Sequence, residues 1–280
     1  MRNNTISKIV TVICSAVVIA AVASGAHRIV SFAAYDYEDA DKYTAGDAVI
    51  KDTVRNLDID WISGTINFEF HDEDTVEISE KSRKPLSEDE RLRWWLDGDT
   101  LRIRFAAKSR GLLSFEMDQD KELTVKLPES ISLGETDIDS TSGDVIIPPL
   151  QAQKMTLNVV SGDVRLELSG ADELRVSSVT GSIDAKLDGV KSAMFDSTSG
   201  DVNVSAPRLE KLDIDVTTGD VTAALSEAPG FTAHLDTVTG NIIYDLPLTR
   251  SGEAYVCGDG SGSVEIDTTT GDIAVTAVAE

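Results

Sequence analysis

The chain is short of aromatic residues, histidine, cysteine and positive charge, and each shortage removes a class of function. Aromatic side chains are 5% of its 280 residues, so the interior must be filled by small and β-branched side chains, which favour strands. Its three histidines, His27, His71 and His234, are scattered and form no H-x-x-x-H or H-E-x-x-H pair, which leaves a zinc enzyme of that kind unsupported. No G-x-S-x-G elbow and no phosphate-binding P-loop is present. The two cysteines make no disulfide framework. Cys14 lies in an apolar run and Cys257 in a V-C-G-D-G loop, where it stands as a candidate intermolecular thiol. With 25 bases against 49 acids, the net charge of −24 repels nucleic acid and anionic lipid, which argues against both as partners.

What the chain does have is a repeat. Gly143, Gly162, Gly181, Gly200 and Gly219 follow one another at 19-residue intervals, each preceded by Ser or Thr and followed by Asp or Ser and then Val or Ile. Gly240 and Gly271 continue the series across a longer interval of 31 residues, and a more distant copy surrounds Gly64. About eight units result. Apolar and polar residues alternate on both sides of each Gly, so each unit holds two short strands with one buried face. Leu157, Val176, Phe195, Ile214 and Leu235 fall in one column before the turn, and Val164, Ile183, Val202, Val221 and Ile242 in one after it.

A unit of two strands cannot bury its own apolar face, so units must stack. The expected fold is all-β, a β-solenoid or β-roll of 19-residue rungs. The alternative that the same alternation permits is a two-sheet antiparallel β-sandwich. The expected organisation is a cytoplasmic N-terminus at 1–8, a membrane anchor at 9–26, a linker at 27–45, an N-terminal β region at 46–130 and regular repeats at 131–280.

Gly at the turn fits a positive φ, or an approach so close that no side chain has room. The residues beside it read as turn chemistry. The competing reading is a row of calcium-binding carboxylates, Asp144, Asp163, Asp201, Asp220 and Asp272. It is weakened by Ser182, Asn241 and Thr65, which replace Asp in three units, and by the absence of the G-G-x-G-x-D nonapeptide. Carboxylate pairs at Asp137 and Asp139, and at Asp213 and Asp215, have a spacing that could serve a glycosidase. Alternation puts them on the solvated side of ordinary rungs. No catalytic residue, cofactor or metal is therefore assigned, and the chain reads as a non-enzyme.

Residues 9–26 contain no charge, a length at the lower edge of a membrane span. Arg2 and Lys8 precede it and the following chain is acidic, which places the repeats outside the cytoplasm, held by a single pass. Cleavage after a small-residue site and secretion is the alternative.

One stretch departs from the acidic background. Between Lys81 and Arg110 nine bases face five acids. Within it, residues 91–105 predict a hairpin around an Asp-Gly turn. Alternation places Leu92, Trp94 and Leu96 together and leaves Trp95 with Arg91 and Arg93. Arg91, Arg93, Trp95, Arg102 and Arg104 form the candidate contact surface. The competing reading pairs the Arg face with acids of the repeats and makes Trp95 an end cap.

The T-S-G-D-V and T-T-G-D-I turns, the short N-terminal anchor and the G-D-T-L-R-I strand from Gly98 together resemble the adhesin-like family of bacterial β-strand-repeat proteins, a domain of unknown function designated DUF4097. The resemblance covers most of residues 45–280. It implies a β-repeat fold and transfers no catalytic residue. Some relatives look like components of envelope-stress loci in Gram-positive bacteria. The implied function is a membrane-anchored extracellular module that binds envelope polymer or a partner protein. The alternatives are the ectodomain partner of an envelope-stress signalling system and a carbohydrate-active solenoid enzyme.

Overall fold

A computed structural model of the chain describes residues 37–107 and 121–278. The expected membrane segment at 9–26, together with Cys14 and His27, lies outside the described residues. Among the described residues no helix is long and apolar enough to cross a membrane.

The described residues of the unit formed by 39–107 and 117–280 are all-β. Its only described helical turns are Ala40–Lys42 and Glu88–Glu90. Each repeat contributes one strand before its Gly and one after it, and these add to two sheets, here the pre-turn and post-turn sheets. Repeats pair in parallel at an offset of one unit: Val164 opposite Ile183 and Ile183 opposite Val202 in the post-turn sheet, Val176 opposite Phe195 and Phe195 opposite Ile214 in the pre-turn sheet. Parallel pairing of units from 133 to 277 departs from the antiparallel meander that alternation alone allows. Two strands, Val145–Ser161 and Val164–Thr180, run through the link and serve both sheets.

In the interior rungs the inward columns are closed to solvent, with Leu157, Val176 and Ile214 at 0% exposure and Phe195 at 1%. A fully buried Leu, Ile or Val is worth about 1.5–3 kcal/mol, so stacking rather than any single rung stabilises the structure. Outward residues also meet at one-unit offsets. Lys154 pairs with Glu135 at 2.8 Å, Lys186 with Glu167 at 2.7 Å and Lys191 with Asp172 at 2.7 Å. Exposed pairs like these contribute about 0–1 kcal/mol each.

The turn is tighter than local chemistry requires. A Cβ added to Gly162 would lie 2.2 Å from the carbonyl oxygen of Gly143, and one added to Gly200 2.2 Å from that of Gly181. Successive Gly residues are therefore in backbone contact, each with a positive φ (139° at Gly162, 134° at Gly200). Both reasons anticipated for Gly operate at the same position.

The order of stacking is not the order of the chain. Gly271 rests on Gly219, and Gly240 rests on Gly271. Strand Gly262–Thr270 lies between Lys211–Thr218 and Gly230–Thr239, and Ile273–Ala277 lies between Val221–Leu225 and Ile242–Tyr244. The chain lays down the Gly240 rung first, turns back through two antiparallel strands, Thr249–Ser251 and Ala254–Gly258, and inserts its last rung beneath. The long interval before Gly271 is this reversal.

The same device operates at the opposite end. Asn56–Ser63 and Ile66–His71 lie between the Gly143 rung and a ninth rung, Thr100–Arg104 with Lys121–Pro128. Sequence reading misses this rung because its turn position is held by Lys121: a Cβ on Gly64 would lie 1.8 Å from the Lys121 carbonyl oxygen. The stack thus crosses the expected boundary at 130 without a break. The hairpin forms as expected, Arg93 opposite Arg104 and Asp97 opposite Thr100. It covers the pre-turn edge of the ninth rung, while Val76–Ser82 covers the post-turn edge in antiparallel pairing. Thr44–Ala45, expected in the linker, pairs with the hairpin instead.

Candidate binding surface

The outward face of the pre-turn sheet carries the charged columns. Pairing brings Arg102 beside Asp58 and Asp58 beside Asp137, while Arg104 lies beside Asp60 and Asp60 beside Asp139. Arg104 donates from Nη1 to Asp58 Oδ1 at 2.7 Å and from Nη2 to Asp58 Oδ2 at 3.0 Å, and is 8% exposed. Arg102 donates to the same carboxylate and to Asp97 Oδ2 at 3.3 Å. Asp60 sits within this cluster. Burial raises its carboxyl to about 6, Arg104 pulls it down, and Asp139 and Asp58 push it up.

Trp95 is half-buried between cations: Lys42 Nζ is 4.5 Å from its ring centroid and the Arg102 guanidinium 5.9 Å, while Tyr43 meets it edge-on at 5.7 Å. Arg93 donates to the Glu88 carbonyl at 3.0 Å and faces Asp89 at 3.7 Å. The structure therefore gathers Arg93, Trp95, Arg102 and Arg104 on one face. Arg91 lies apart, before the strand begins, with its side chain beside Gly46.

Under this surface lies a feature that sequence reading did not find. Lys121 is fully buried and pairs with Glu80 Oε2 at 2.7 Å, and its ammonium donates to the carbonyls of Glu90 and Phe105, both at 2.6 Å. The centroids of Phe105 and Trp61 stand 4.2 and 5.2 Å away, so the charge also lies over two aromatic rings. Burial lowers the Lys121 ammonium below its ordinary value, and Glu80 acts in the opposite sense. No sequence motif marks the pair, because its members are 41 residues apart on different strands.

At the other end of the face, Asp196, Asp215, Asp267 and Asp236 stand opposite one another in consecutive rungs. Burial raises the Asp267 carboxyl, and Glu265, Asp215, Asp236 and Asp213 add to the effect. Asp215 belongs to this row, and Asp213 stands in the neighbouring column, between Met194 and Glu265. Burial, then Glu135, raises Asp137. The face thus grades from cations and Trp95 to stacked carboxylates. Among the described residues, no three His, Cys, Asp or Glu side chains are arranged to hold a metal.

The turn aspartates have a different geometry. Asp144 Oδ1 accepts the Asp163 backbone N–H at 2.9 Å, Asp163 the Ser182 N–H at 3.0 Å, and Asp201 the Asp220 N–H at 2.9 Å. Asp220 accepts from Asp272 at 2.8 Å, and Asp272 from Asn241 at 2.7 Å. Each side chain reaches not its own turn but the equivalent amide of the next rung. One oxygen of each calcium candidate is committed to this ladder. Cys257 corrects the expectation of an intermolecular thiol: it is fully buried, and burial, aided by Glu227, raises its thiol.

The model of the Toastrack DUF4097 family matches residues 54–247. No curated protein is significantly similar to the chain. Among solved structures, it is similar to a candidate cell-adhesion protein from Clostridium sporogenes ATCC 15579, with 12% identity and a TM-score of 0.35 over 84% of this chain and 100% of that one. A candidate adhesin from Parabacteroides distasonis ATCC 8503 shows 15% identity and a TM-score of 0.35, covering 84% and 97% of the two chains. One from Bacteroides fragilis NCTC 9343 shows 13% identity and a TM-score of 0.30 over the same shares.

Proposed function

The chain belongs to the Toastrack DUF4097 family, and on that premise we propose that it is a non-catalytic β-solenoid module that binds or scaffolds polymer at the cell envelope. The observation that carries this reading is the register of the outward pre-turn face. Residues one unit apart stand directly opposite one another, as Asp215 does to Asp196 and Asp267, so like positions recur about every 4.8 Å along the stack. A surface that repeats can engage a polymer that repeats, and many weak contacts then act as one strong one. The cationic end, with Lys42, Trp95 and Arg102, supplies contacts for an anionic or sugar-containing chain. The apolar stretch at 9–26, outside the described residues, would hold the module to the membrane by a single pass, with the repeats on the extracytoplasmic side.

The test is retention of the full chain, in detergent, on isolated cell-wall polymer with and without its anionic side polymers. Retention that falls about tenfold on Trp95→Ala, with the thermal midpoint unchanged, is the expected result. No retention on any envelope fraction would overturn the reading.

A further inference from the structure

The two ends of the stack differ. At the Lys121 rung both sheets are closed by antiparallel strands, and the outermost strands are only two and three residues long, Thr44–Ala45 and Ala48–Ile50. Short edges of this kind resist further pairing. At the Gly240 rung, Ala254–Gly258 pairs only with residues 230–233 of Gly230–Thr239. Beyond that point, among the described residues, neither Leu235–Thr239 nor Ile242–Tyr244 has a strand on its outer side. Among the described residues, three of the four exposed large hydrophobic side chains lie there: Val238 at 77%, Ile243 at 59% and Tyr244 at 44%.

The polar groups at this edge are ordered by the repeat. In each rung below, the turn Gly donates its N–H to the carbonyl preceding the next Gly: Gly200 to Thr218, Gly219 to Thr270, Gly271 to Thr239. Two residues on, Val202 donates to the Asp220 carbonyl, Val221 to that of Asp272, and Ile273 to that of Asn241. In the end rung the equivalent donors are Gly240 N–H and Ile242 N–H, and neither has such an acceptor among the described residues. Asn241 occupies the place of the ladder aspartate. Its Nδ2 donates back to Asp272 Oδ1 at 3.2 Å, which leaves its Oδ1 for the N–H of a following rung. The exposed turn therefore offers donor, acceptor and donor, the pattern that the Gly200, Gly219 and Gly271 rungs satisfy with the rung above.

We infer that the Gly240 rung is a docking edge for an extended segment of a partner protein, which adds in parallel as a tenth rung, with apolar residues inward and Lys or Arg outward. The inward residues cover Leu235, Ile242 and Tyr244. The outward bases stand over Asp236, where the column Asp196, Asp215, Asp267 and Asp236 ends. Main-chain hydrogen bonds supply affinity and the alternating side chains supply selection, as in other strand additions. A second copy of the chain does not fit. A two-fold axis between two such ends would set antiparallel strands against each other, oppose the donors Gly240 and Ile242 to their own copies, and join two bodies each carrying −24. This surface is the end of the stack; it shares Asp236 with the sheet face proposed to bind polymer, and Ile242 lies on the other sheet, outside that face.

The probe is a labelled synthetic peptide in which Val alternates with Lys on both sides of a Ser-Gly-Asp turn, titrated by fluorescence anisotropy into the full chain in detergent at physiological salt. The expected result is saturable binding that weakens at least tenfold on Ile242→Pro, which removes an outward N–H, and at least tenfold when the peptide amide facing Asn241 is N-methylated. Asp236→Lys should weaken the Lys peptide and admit a Glu/Val counterpart. Thermal melting of each variant establishes that it is folded, and Asp236→Lys, on an exposed position, keeps the test decisive if Ile242→Pro is not. Absence of binding overturns the inference. So does binding indifferent to N-methylation and Asp236→Lys, or a concentration-dependent dimer of the full chain abolished by Ile242→Pro. Polymer retention assayed on the same variants separates the two readings, since Ile242→Pro should leave it unchanged.

Discussion

Lys121 and Glu80 form an ion pair at 2.7 Å in which the lysine side chain is 0% and the glutamate 5% exposed, placed where every other rung has a turn glycine or its neighbour. A buried charge left alone is costly, whereas a satisfied pair is roughly neutral. Lys121→Met is therefore expected to cost about 3–5 kcal/mol. Adding Glu80→Gln should restore most of that loss, because Gln can still accept the Leu92 N–H that Glu80 Oε1 now accepts at 2.8 Å. Urea denaturation of the two single variants and the double variant measures the coupling, and additive losses would contradict it.

Backbone contact between successive turns makes the glycine column intolerant. Gly200→Ala must relieve a 2.2 Å approach to the Gly181 oxygen at a φ of 134°. A loss of about 3 kcal/mol or more is expected, from strained φ and displaced backbone together. Gly98→Ala, in the hairpin turn where no atom lies within 4 Å of the added Cβ, incurs the φ penalty alone and should cost about 1–2 kcal/mol. Equal losses in a thermal melt would show that proximity is irrelevant.

The aspartate ladder has a gap. Ser182 stands between Asp163 and Asp201 in the stack, and its shorter side chain does not provide the Asp201 amide with the acceptor that Asp201 provides to Asp220. Asp201→Ala should lose about 1–2 kcal/mol as the Asp220 amide loses a charged acceptor. Ser182→Asp should gain about 0.5–1 kcal/mol, the new bond being offset by repulsion from its neighbours. The informative outcome is opposite signs; destabilisation by Ser182→Asp would mean that repulsion outweighs the bond.

Asp60 gives a pH dependence with a definite sign. Its folded carboxyl titrates at about 6, above the ordinary 3.8, so the folded protein retains a proton that the unfolded chain releases. Its contribution to stability is therefore greatest below about pH 4, falls as pH rises through about 6, and is flat above, with a total loss of about 3 kcal/mol. Asp60→Asn should remove that slope: near wild type at about pH 4, and about 1–3 kcal/mol more stable at about pH 7.5. A constant difference between the two pH values, measured by urea denaturation, would refute the assignment.

Much of this architecture is visible in the order of residues because a repeat writes the same instruction many times. Gly at 19-residue spacing and strict alternation determine two short strands per unit, an apolar interior and charged columns outside. The 91–105 hairpin is equally legible, since its turn and its alternation are local. The candidate site is only partly so. Arg102 and Arg104 lie on one face by alternation, but that both close on Asp58, 44 and 46 residues away, depends on which strands become neighbours.

Neighbour choice is what tertiary structure decided. Nothing in the run from Gly219 to Gly271 states that the last rung lies beneath the one before it, because both carry the same apolar columns and fit the same place. The chain reverses through Thr249–Gly258 at one end and through Val76–Asp97 at the other, and only those long-range pairings leave one end closed and the other open. They also put Lys121 at a turn position with no glycine and bring it to Glu80. Local pattern determines what a rung is; the free energy of the assembled stack, summed over interfaces that local pattern leaves equivalent, determines which rung lies on which.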